Sequence, residues 1–133
     1  MVKKTYTYAV GKRKSASARI RLFAGKGENL VNDIPAEKYF PREVDKIILR
    51  RPLELTEATG KYYFTARVTG GGKNAQLEAL VHGVSRAFSK AGKEKFRASL
   101  KKAGLLTRDS RIRQRRMVGT GGKARRAKQS PKR

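Results

Sequence analysis

From Ser110 to the C-terminus the sequence contains no acidic residue, and the 23 residues after Ser110 include ten lysines and arginines. Their only sizeable apolar side chains are Ile112, Met117 and Val118. Such a segment buries too little apolar surface to offset the entropy lost on ordering, so alone it should be disordered. A dense polyanion would neutralise and order it. Nucleic acid is the obvious candidate, because duplex carries one charge about every 1.7 Å of its axis.

The rest of the chain is basic as well. Lysine and arginine number 34 in the whole sequence against 10 aspartates and glutamates, which gives a formal charge of +24. Since ten of these cations and none of the acids follow Ser110, the first 110 residues still carry +14. A free monomer with this charge repels itself and adheres to polyanions, so we expect the working state to be bound to one.

Several function classes are excluded by what the sequence lacks. Without cysteine, neither a disulfide framework nor a cysteine-based zinc site can form, and the single histidine, His82, cannot build a metal site alone. No apolar run approaches the roughly 18 residues of a membrane span. Residues 1–14 are basic but lack the apolar core of a signal peptide. We therefore expect a cytoplasmic protein with no cofactor, no membrane contact and no small-molecule substrate.

Alternation of apolar and polar residues with a period of two predicts three strands. The residues expected to face the core are, in strand order, Tyr6, Tyr8 and Val10; Ala18, Ile20 and Leu22; and Tyr62, Phe64, Ala66 and Val68. Gly11 is expected to interrupt the first strand. Residues 30–32 form a possible short strand.

Two helices are predicted between the second strand and the strand at residue 62. The first covers residues 35–40, and the second covers residues 41–51 because Pro52 stops it. The inward face of the second is expected to comprise Val44, Ile47 and Ile48.

A long amphipathic helix is predicted after residues 70–72, because apolar residues recur at the i, i+3, i+4, i+7 and i+11 positions. They are Leu77, Leu80, Val81, Val84 and Phe88. A last helix over residues 93–103 should place Phe96 and Leu100 inward and end at Gly104 as its cap.

These elements predict an α/β or α+β fold, with one sheet covered by helices on one face and the other face free for a partner. The folded body is expected to comprise residues 1–107, and residues 108–133 form what we call the tail.

Two glycine-containing basic segments are candidate phosphate-binding sites. Gly11-Lys12-Arg13-Lys14-Ser15 joins two predicted strands, and Gly11 would let a phosphate approach the backbone. The alternative is a solvated basic turn, but the basic tail favours nucleic acid. Gly70-Gly71-Gly72-Lys73-Asn74 precedes the long helix, whose first N–H groups can bind an anion. Here the alternative, a flexible turn that lets strand and helix pack closely, stays open.

Signals of catalysis are weak. His82 lies beside the apolar face of the long helix, without a partner or a nucleophile. Glu54 and Glu57 are best explained as charges on a helix end that pair with cations. Aromatic residues could stack on bases as in an RRM sheet, but the RNP1 pattern is absent and only Tyr63 is expected to be exposed.

Several strings occur in the order found in one family. They are Gly11-Lys12-Arg13-Lys14-Ser15-Ala16-Ser17-Ala18-Arg19-Ile20; Asn32, Tyr39-Phe40 and Pro52-Leu53-Glu54-Leu55; Gly70-Gly71-Gly72-Lys73-Asn74-Ala75-Gln76 with Ala79, Gly83, Arg86 and Ala87; Lys102-Ala103-Gly104-Leu105-Leu106-Thr107-Arg108-Asp109; and Lys123-Ala124-Arg125-Arg126 with the terminal Lys132-Arg133. Together they span nearly the whole chain. The combination resembles small-subunit ribosomal protein nine, the ribosomal protein S9 family, of bacterial or organellar type.

The resemblance implies a ribosomal S5 domain 2-like fold, a four-stranded mixed sheet with helices on one face, plus an extended C-terminal tail. It also implies a place in the head of the small ribosomal subunit, on the 3′ major domain of 16S-type rRNA and beside other head proteins. The tail of such a protein reaches the peptidyl-site tRNA, where its last residues approach the anticodon stem-loop.

We accordingly interpret the chain as a structural, non-catalytic rRNA-binding protein. Its expected rRNA contacts are Lys12, Arg13, Lys14, Arg19, Lys73, Arg108, Arg111, Arg113, Arg115, Arg116, Lys123, Arg125, Arg126 and Lys128. Lys132 and Arg133 are expected to contact the tRNA. Phosphate contacts position a protein without reading sequence, so specificity should come from RNA shape.

The chain departs from the family pattern at three places. Ala75 stands where the signature has glycine, and residues 128–133 lack the phenylalanine of the usual ending. Residues 119–122 replace a shorter, more basic stretch, which should make the tail more flexible midway.

Two rival classes are less consistent with the sequence. A DNA-compacting protein would need a dimer surface or an intercalating apolar wedge, and neither is evident. An enzyme related to small-molecule kinases would share the arrangement of sheet and helices, but that is analogy of fold alone. A nucleotide loop and a plausible acid–base set are missing.

Overall fold

A computed structural model describes residues 5–57 and 60–122 of the chain. Within these residues five strands form one sheet in the order β1-β2-β5-β3-β4. The strands are β1 Thr7–Arg13, β2 Ala16–Ala24, β3 Leu30–Val31, β4 Ile34–Pro35 and β5 Tyr62–Thr69. β3 runs parallel to β5, and the other neighbouring pairs are antiparallel.

The helices cover one face of this sheet. Within the described residues they are α1 Ala36–Tyr39, α2 Glu43–Leu55, α3 Lys73–Ala91 and α4 Lys93–Lys102. The rings of Tyr62, Phe88 and Phe96 join β5, α3 and α4 in edge-on contacts, with centroids 5.4–6.0 Å apart. None of the helices in the described ranges is long and apolar enough to cross a membrane.

The predicted fold class is confirmed, with one more strand than expected in the described part of the chain. The additional strand arises because Ile34 and Pro35 pair with β3 before α1 begins. Pro35 therefore precedes the short helix instead of forming its first turn.

Helix α3 lies so close to β1 that there is no space for a side chain at Gly11. Gly11 is buried within β1 and faces α3, where an added Cβ would overlap the backbone of Ala79 and Gly83. Ala79, Gly83 and Ala87 recur every four residues and form a small-residue stripe on the buried face of α3. The prediction that Gly11 interrupts the strand and gives a phosphate access to the backbone is therefore wrong. β1 continues through Gly11, and the backbone of α3 occupies the space beside it.

The inward and outward faces of β1 are the reverse of those predicted. Tyr6 and Tyr8 are each 45% exposed on the side of the sheet away from the helices, which we call the open face. Ala9 and Gly11 face the helices. A period of two does not tell which face is buried, and a shift of one residue exchanges all side chains between the faces. The close approach of α3 leaves space only for the small residues.

The orientation of α2 also differs from the prediction. The residues expected to face inward are exposed: Val44, Ile47 and Ile48. Leu49, Pro52 and Leu53 pack inward instead, at helical spacing. The helix continues through Pro52 to Leu55, and Thr56 Oγ1 donates to the carbonyl of Pro52 at 2.8 Å. Because apolar residues occur on both sides of α2, periodicity alone could not select its buried face.

Helix α4 ends as predicted. Phe96 and Leu100 are buried, and Gly104 adopts a φ of 78°. Its N–H donates to the carbonyl of Lys101, while the N–H of Leu105 donates to that of Leu100, each at 3.1 Å. The left-handed glycine turns the chain away from the helix and directs the following residues back over α3.

At both edges of the sheet, some backbone groups that could pair with a further strand are already hydrogen-bonded or are absent. β1 forms one edge, where Arg86 donates to the carbonyl of Val10 at 2.6 Å and Lys90 donates to that of Tyr8 at 3.1 Å. The opposite edge, β4, has two residues and includes Pro35, which has no N–H. Side chains of α3 thus cover backbone acceptors that a further strand would need.

Candidate nucleic-acid interface

The tip of the β1–β2 hairpin and the beginning of α3 form one basic groove, which we call the cradle. Its volume is about 530 Å³. The lining residues are Lys14, Ser15, Arg42, Gly71, Gly72, Lys73, Asn74 and Ala75. Three of these residues are cations and none is an acid, so the cradle attracts anions.

The glycines bring the two halves of the cradle together. Gly70 and Gly71 have φ values of 78° and 60°, which disfavour any residue with a side chain. A Cβ at Gly70 would in addition overlap the carbonyl of Ser15 in the hairpin turn. The glycine turn therefore packs against the hairpin turn, and Lys14 and the first turn of α3 line the same groove.

The N-terminus of α3 has the features of an anion site. Gly72 occupies its N-cap position without a side-chain hydrogen bond to the helix. The helix dipole there is equivalent to roughly +0.5 charge, and Lys73 adds a full one. Lys73 Nζ donates to the carbonyl of Tyr39 at 3.1 Å and lies 3.4 Å from the centroid of its ring. This cation is therefore held in one place.

A hydrogen-bonded network supports the cradle from below. Tyr39 donates its hydroxyl to Gln76 Oε1 at 2.8 Å, and Gln76 Nε2 donates to the carbonyl of Gly70 at 3.1 Å. Asn32 Nδ2 donates to the carbonyl of Val68 at 3.0 Å, and the Val68 N–H donates back to Asn32 Oδ1 at 2.9 Å. Three residues that carry the family resemblance thus fix the glycine turn.

The root of the tail is attached to the hairpin through Arg13, whose side chain is 11% exposed. Its guanidinium pairs with Glu78 of α3 and lies 3.2 Å from the carboxylate of Asp109, and it donates to the carbonyl of Arg111 at 2.6 Å. Hydrogen bonds from the Arg111 side chain and backbone N–H hold the pKa of the Asp109 carboxyl well below its usual range. We call this cluster the tail clamp: Arg13, Glu78, Asp109 and Arg111.

Arg13, predicted to contact rRNA, pairs with protein groups in the tail clamp. The other expected rRNA contacts that are exposed are Lys12, Lys14, Arg19, Lys73, Arg108, Arg111, Arg113 and Arg115. Arg116 is half-buried. The remaining predicted contacts lie outside the described residues: Lys123, Arg125, Arg126, Lys128, Lys132 and Arg133.

Three further arginines were not among the predicted contacts: Arg42 in the cradle, and Arg21 and Arg67 on the open face. The exposure of Arg21 and Arg67 was predictable, because both alternate with buried residues in strands whose inward faces were predicted correctly. The sequence pattern did not indicate that Arg42 belongs to the cradle, since only the folded chain brings it close to Lys73.

His82 packs under the beginning of the tail. One ring nitrogen, Nε2, lies 3.3 Å from the carbonyl of Leu106, and Nδ1 is buried without a hydrogen-bond partner within the described residues. Burial lowers the pKa of His82, the Leu106 carbonyl opposes this, and Arg86 and Arg108 add to the lowering. The imidazole is therefore neutral at neutral pH, and it donates Nε2–H to Leu106.

We expect the free energy of unfolding to decrease as the pH falls through and below the ordinary histidine pKa of about 6.5. The unfolded chain binds a proton at His82 near the ordinary pKa of about 6.5, whereas the folded chain binds it only at lower pH. The contribution of the neutral ring is thus complete above the unfolded pKa and is lost as the pH falls towards the folded one. Urea unfolding at several pH values measures this slope. His82→Gln should flatten it, and a slope that persists in that variant would contradict the assignment.

Comparison with known proteins identifies the family. A family model described as ribosomal protein S9/S16 matches residues 11–133 of the chain.

The chain belongs to the ribosomal protein S9 family.

Three bacterial members of the family illustrate the similarity, each described as small ribosomal subunit protein uS9. The protein of Sorangium cellulosum (strain So ce56) is 47% identical over 118 residues, which cover 89% of this chain and 90% of that one. That of Solidesulfovibrio magneticus is 49% identical over 117 residues, or 88% and 89% of the two chains. That of Maridesulfovibrio salexigens is 44% identical over 119 residues, or 90% and 91%. The predicted resemblance is confirmed, for the bacterial type.

Several residues of the S9 family pattern have a structural role in this fold. Gly11 and Gly83 allow α3 to approach β1, and Asn32 and Gln76 stabilise the cradle. Ala75, a departure from that pattern, is half-buried and packs against the core. The fold therefore accommodates a methyl group at this position.

Proposed function

We propose that this chain is a structural constituent of the small ribosomal subunit that binds 16S-type rRNA and contacts peptidyl-site tRNA. Membership of the S9 family carries the proposal, since the matched relatives are small ribosomal subunit proteins. The family is structural, so no catalytic activity is expected. The exposed cations of the cradle and of the tail are the chemistry that supports it.

The cradle is the proposed rRNA site of the body. Lys14, Arg42 and Lys73 surround an open groove beside the uncapped N-terminus of α3. Phosphate oxygens suit this arrangement, because backbone N–H groups at a helix start and nearby cations act on the same anion. The contacts would orient the body on the RNA without reading bases.

The tail is the proposed second rRNA site and the tRNA site. The tail clamp fixes where it leaves the body, and Arg108, Arg113 and Arg115 are exposed just beyond α4. The 23 residues after Ser110 can reach at most about 75 Å at roughly 3.3 Å each. That reach is enough for Lys132 and Arg133 to meet tRNA while the preceding arginines hold rRNA.

The proposed location is the head of the small subunit, on the 3′ major domain of the rRNA and beside other head proteins. The direct test is whether the chain co-sediments with small subunits in high salt, with large subunits as the control. Recovery of the chain only in the free fraction would contradict the proposed function.

The last two residues are expected to act on tRNA. Lys132→Ala combined with Arg133→Ala should weaken retention of peptidyl-site tRNA or alter start-site or reading-frame fidelity, because the tip loses both phosphate contacts. Subunit yield should stay normal, since the remaining tail cations still bind rRNA. Filter binding of tRNA to purified subunits and a frameshift reporter measure the effect. Impaired assembly with normal tRNA binding and fidelity would show that the tip anchors rRNA instead.

A further inference from the structure

The open face of the sheet carries arginines in adjacent positions on two strands. The antiparallel register forms two cross-strand rows, Tyr8, Arg21 and Thr65 in one and Val10, Arg19 and Arg67 in the next. All three arginines are exposed. They lie on the side of the sheet opposite the helices, so they belong neither to the cradle nor to the tail clamp.

A groove of about 420 Å³ runs across these rows. The three arginines line it together with Tyr8, and Asp33 is the one acid among its lining residues. The Asp33 carboxylate lies 3.1 Å from the guanidinium of Arg67, so one charge of the three is balanced. Arg19 and Arg21 leave a positive surplus, which an anionic partner would complement.

Aromatic rings continue the open face next to this groove. Phe23 and Tyr63 stack with centroids 5.1 Å apart and planes inclined by 13°, and Tyr6 lies 5.7 Å from Phe23. The Arg21 guanidinium is 5.1 Å from the centroid of the Tyr6 ring. Tyr6 and Tyr8 each leave 45% of their surface exposed. Flat apolar surface and fixed cations therefore lie side by side.

We infer that the open face is a further RNA site that binds an unpaired segment of rRNA. Bases stack on the exposed rings of Tyr6 and Tyr8, while the arginines contact the adjoining phosphates. The ligand is unpaired because the bases of a duplex are stacked on one another and offer no free face to a ring. This inference rests on the proposed rRNA function, and it names the form of RNA that this surface takes.

The test removes rings without changing charge, in the full-length chain. Tyr6→Leu with Tyr8→Leu abolishes stacking, and Tyr6→Phe with Tyr8→Phe is the matched control that keeps the rings. The probes are an oligouridine of about ten nucleotides, within the range of single-strand sites, and an RNA duplex of similar length. The affinity of the double leucine variant for oligouridine should be lower than that of the wild type by about fivefold or more. Fivefold is the lower end of the effect of losing one stacked base. The duplex affinity of this variant and its salt dependence should equal those of the wild type, and the phenylalanine pair should match the wild type throughout.

Equal weakening for both probes, or none for either, would overturn the inference. So would particles reconstituted with the leucine pair that lose a head protein while their rRNA contacts stay unchanged, because the open face would then be a protein-docking surface. The unfolding midpoints of both pairs, compared with that of the wild type, show that the fold is intact. Failure of the wild-type chain to join small subunits is a separate result, which would contradict the proposed function itself.

Discussion

Replacing Gly11 with alanine is expected to lower the free energy of unfolding by about 3 kcal/mol or more, at the upper end of what overpacking costs. The added Cβ would overlap the carbonyl oxygen of Ala79 and the backbone nitrogen of Gly83. These are backbone atoms of α3, which cannot rotate aside as the end of a side chain can. This overlap can be removed only if α3 moves away from β1, and that movement opens the core along the small-residue stripe. Urea unfolding followed by circular dichroism measures the change.

Gly72→Ala is the matched control for this substitution. A Cβ at Gly72 meets nothing within 4 Å, and its φ of −101° is one that alanine adopts readily. We expect a cost of about 1 kcal/mol or less, from the weaker N-cap preference of alanine. A Gly11→Ala protein as stable as the control would mean that the helix does not lie this close to the strand.

Affinity for a fragment of 16S-type rRNA is expected to fall about a thousandfold or more between about 50 mM and about 200 mM salt. Each phosphate contact releases counterions, and the loss of that size corresponds to about six to ten contacts. Exposed cations in the described residues supply enough of them: Lys12, Lys14, Arg42, Lys73, Arg108, Arg113 and Arg115. Fluorescence anisotropy titrations at several salt concentrations give the slope of log affinity against log salt.

A double substitution in the cradle tests where those contacts lie. Lys14→Ala with Lys73→Ala should reduce the steepness of that slope by roughly 1.5, since each contact contributes about 0.7 to 0.9. Glu57 lines a different groove, beside Tyr62 and Phe96. Glu57→Gln therefore serves as the control and should leave the slope close to the wild-type value. A nearly salt-independent affinity of the wild type would show that phosphates do not dominate binding.

Much of the fold could be predicted because several segments have one clearly apolar face. Ile20 in β2, Phe64 in β5 and Phe88 in α3 alternate or repeat with polar neighbours, and all three are buried as predicted. The failures lie where both faces could pack. In β1 the larger residues point outward, because the helix above requires the small ones, and this requirement comes from α3, more than sixty residues away in sequence.

Part of the candidate site could be predicted from local sequence patterns. Lys73 follows three consecutive glycines and Lys14 ends a run of three cations, and local patterns of these kinds predict phosphate contacts without knowledge of the tertiary structure. Arg13 looks the same in the sequence, but the fold pairs it with Glu78 and Asp109. Whether a cation is available to RNA depends on which acids the fold brings to it, and the position along the chain does not reveal this.

The hydrogen bonds from Arg86 and Lys90 to the outer carbonyls of β1 also affect how the protein behaves before it binds RNA. A sheet edge with free acceptors is a template on which a second copy can add a strand, and such pairing leads to aggregation. Here two acceptors of β1 are already occupied, and the occupying groups are cations that repel an equally basic neighbour. Proline and short length at β4 hinder the same process at the other edge. Newly synthesised chains can therefore remain apart until a polyanion takes them up.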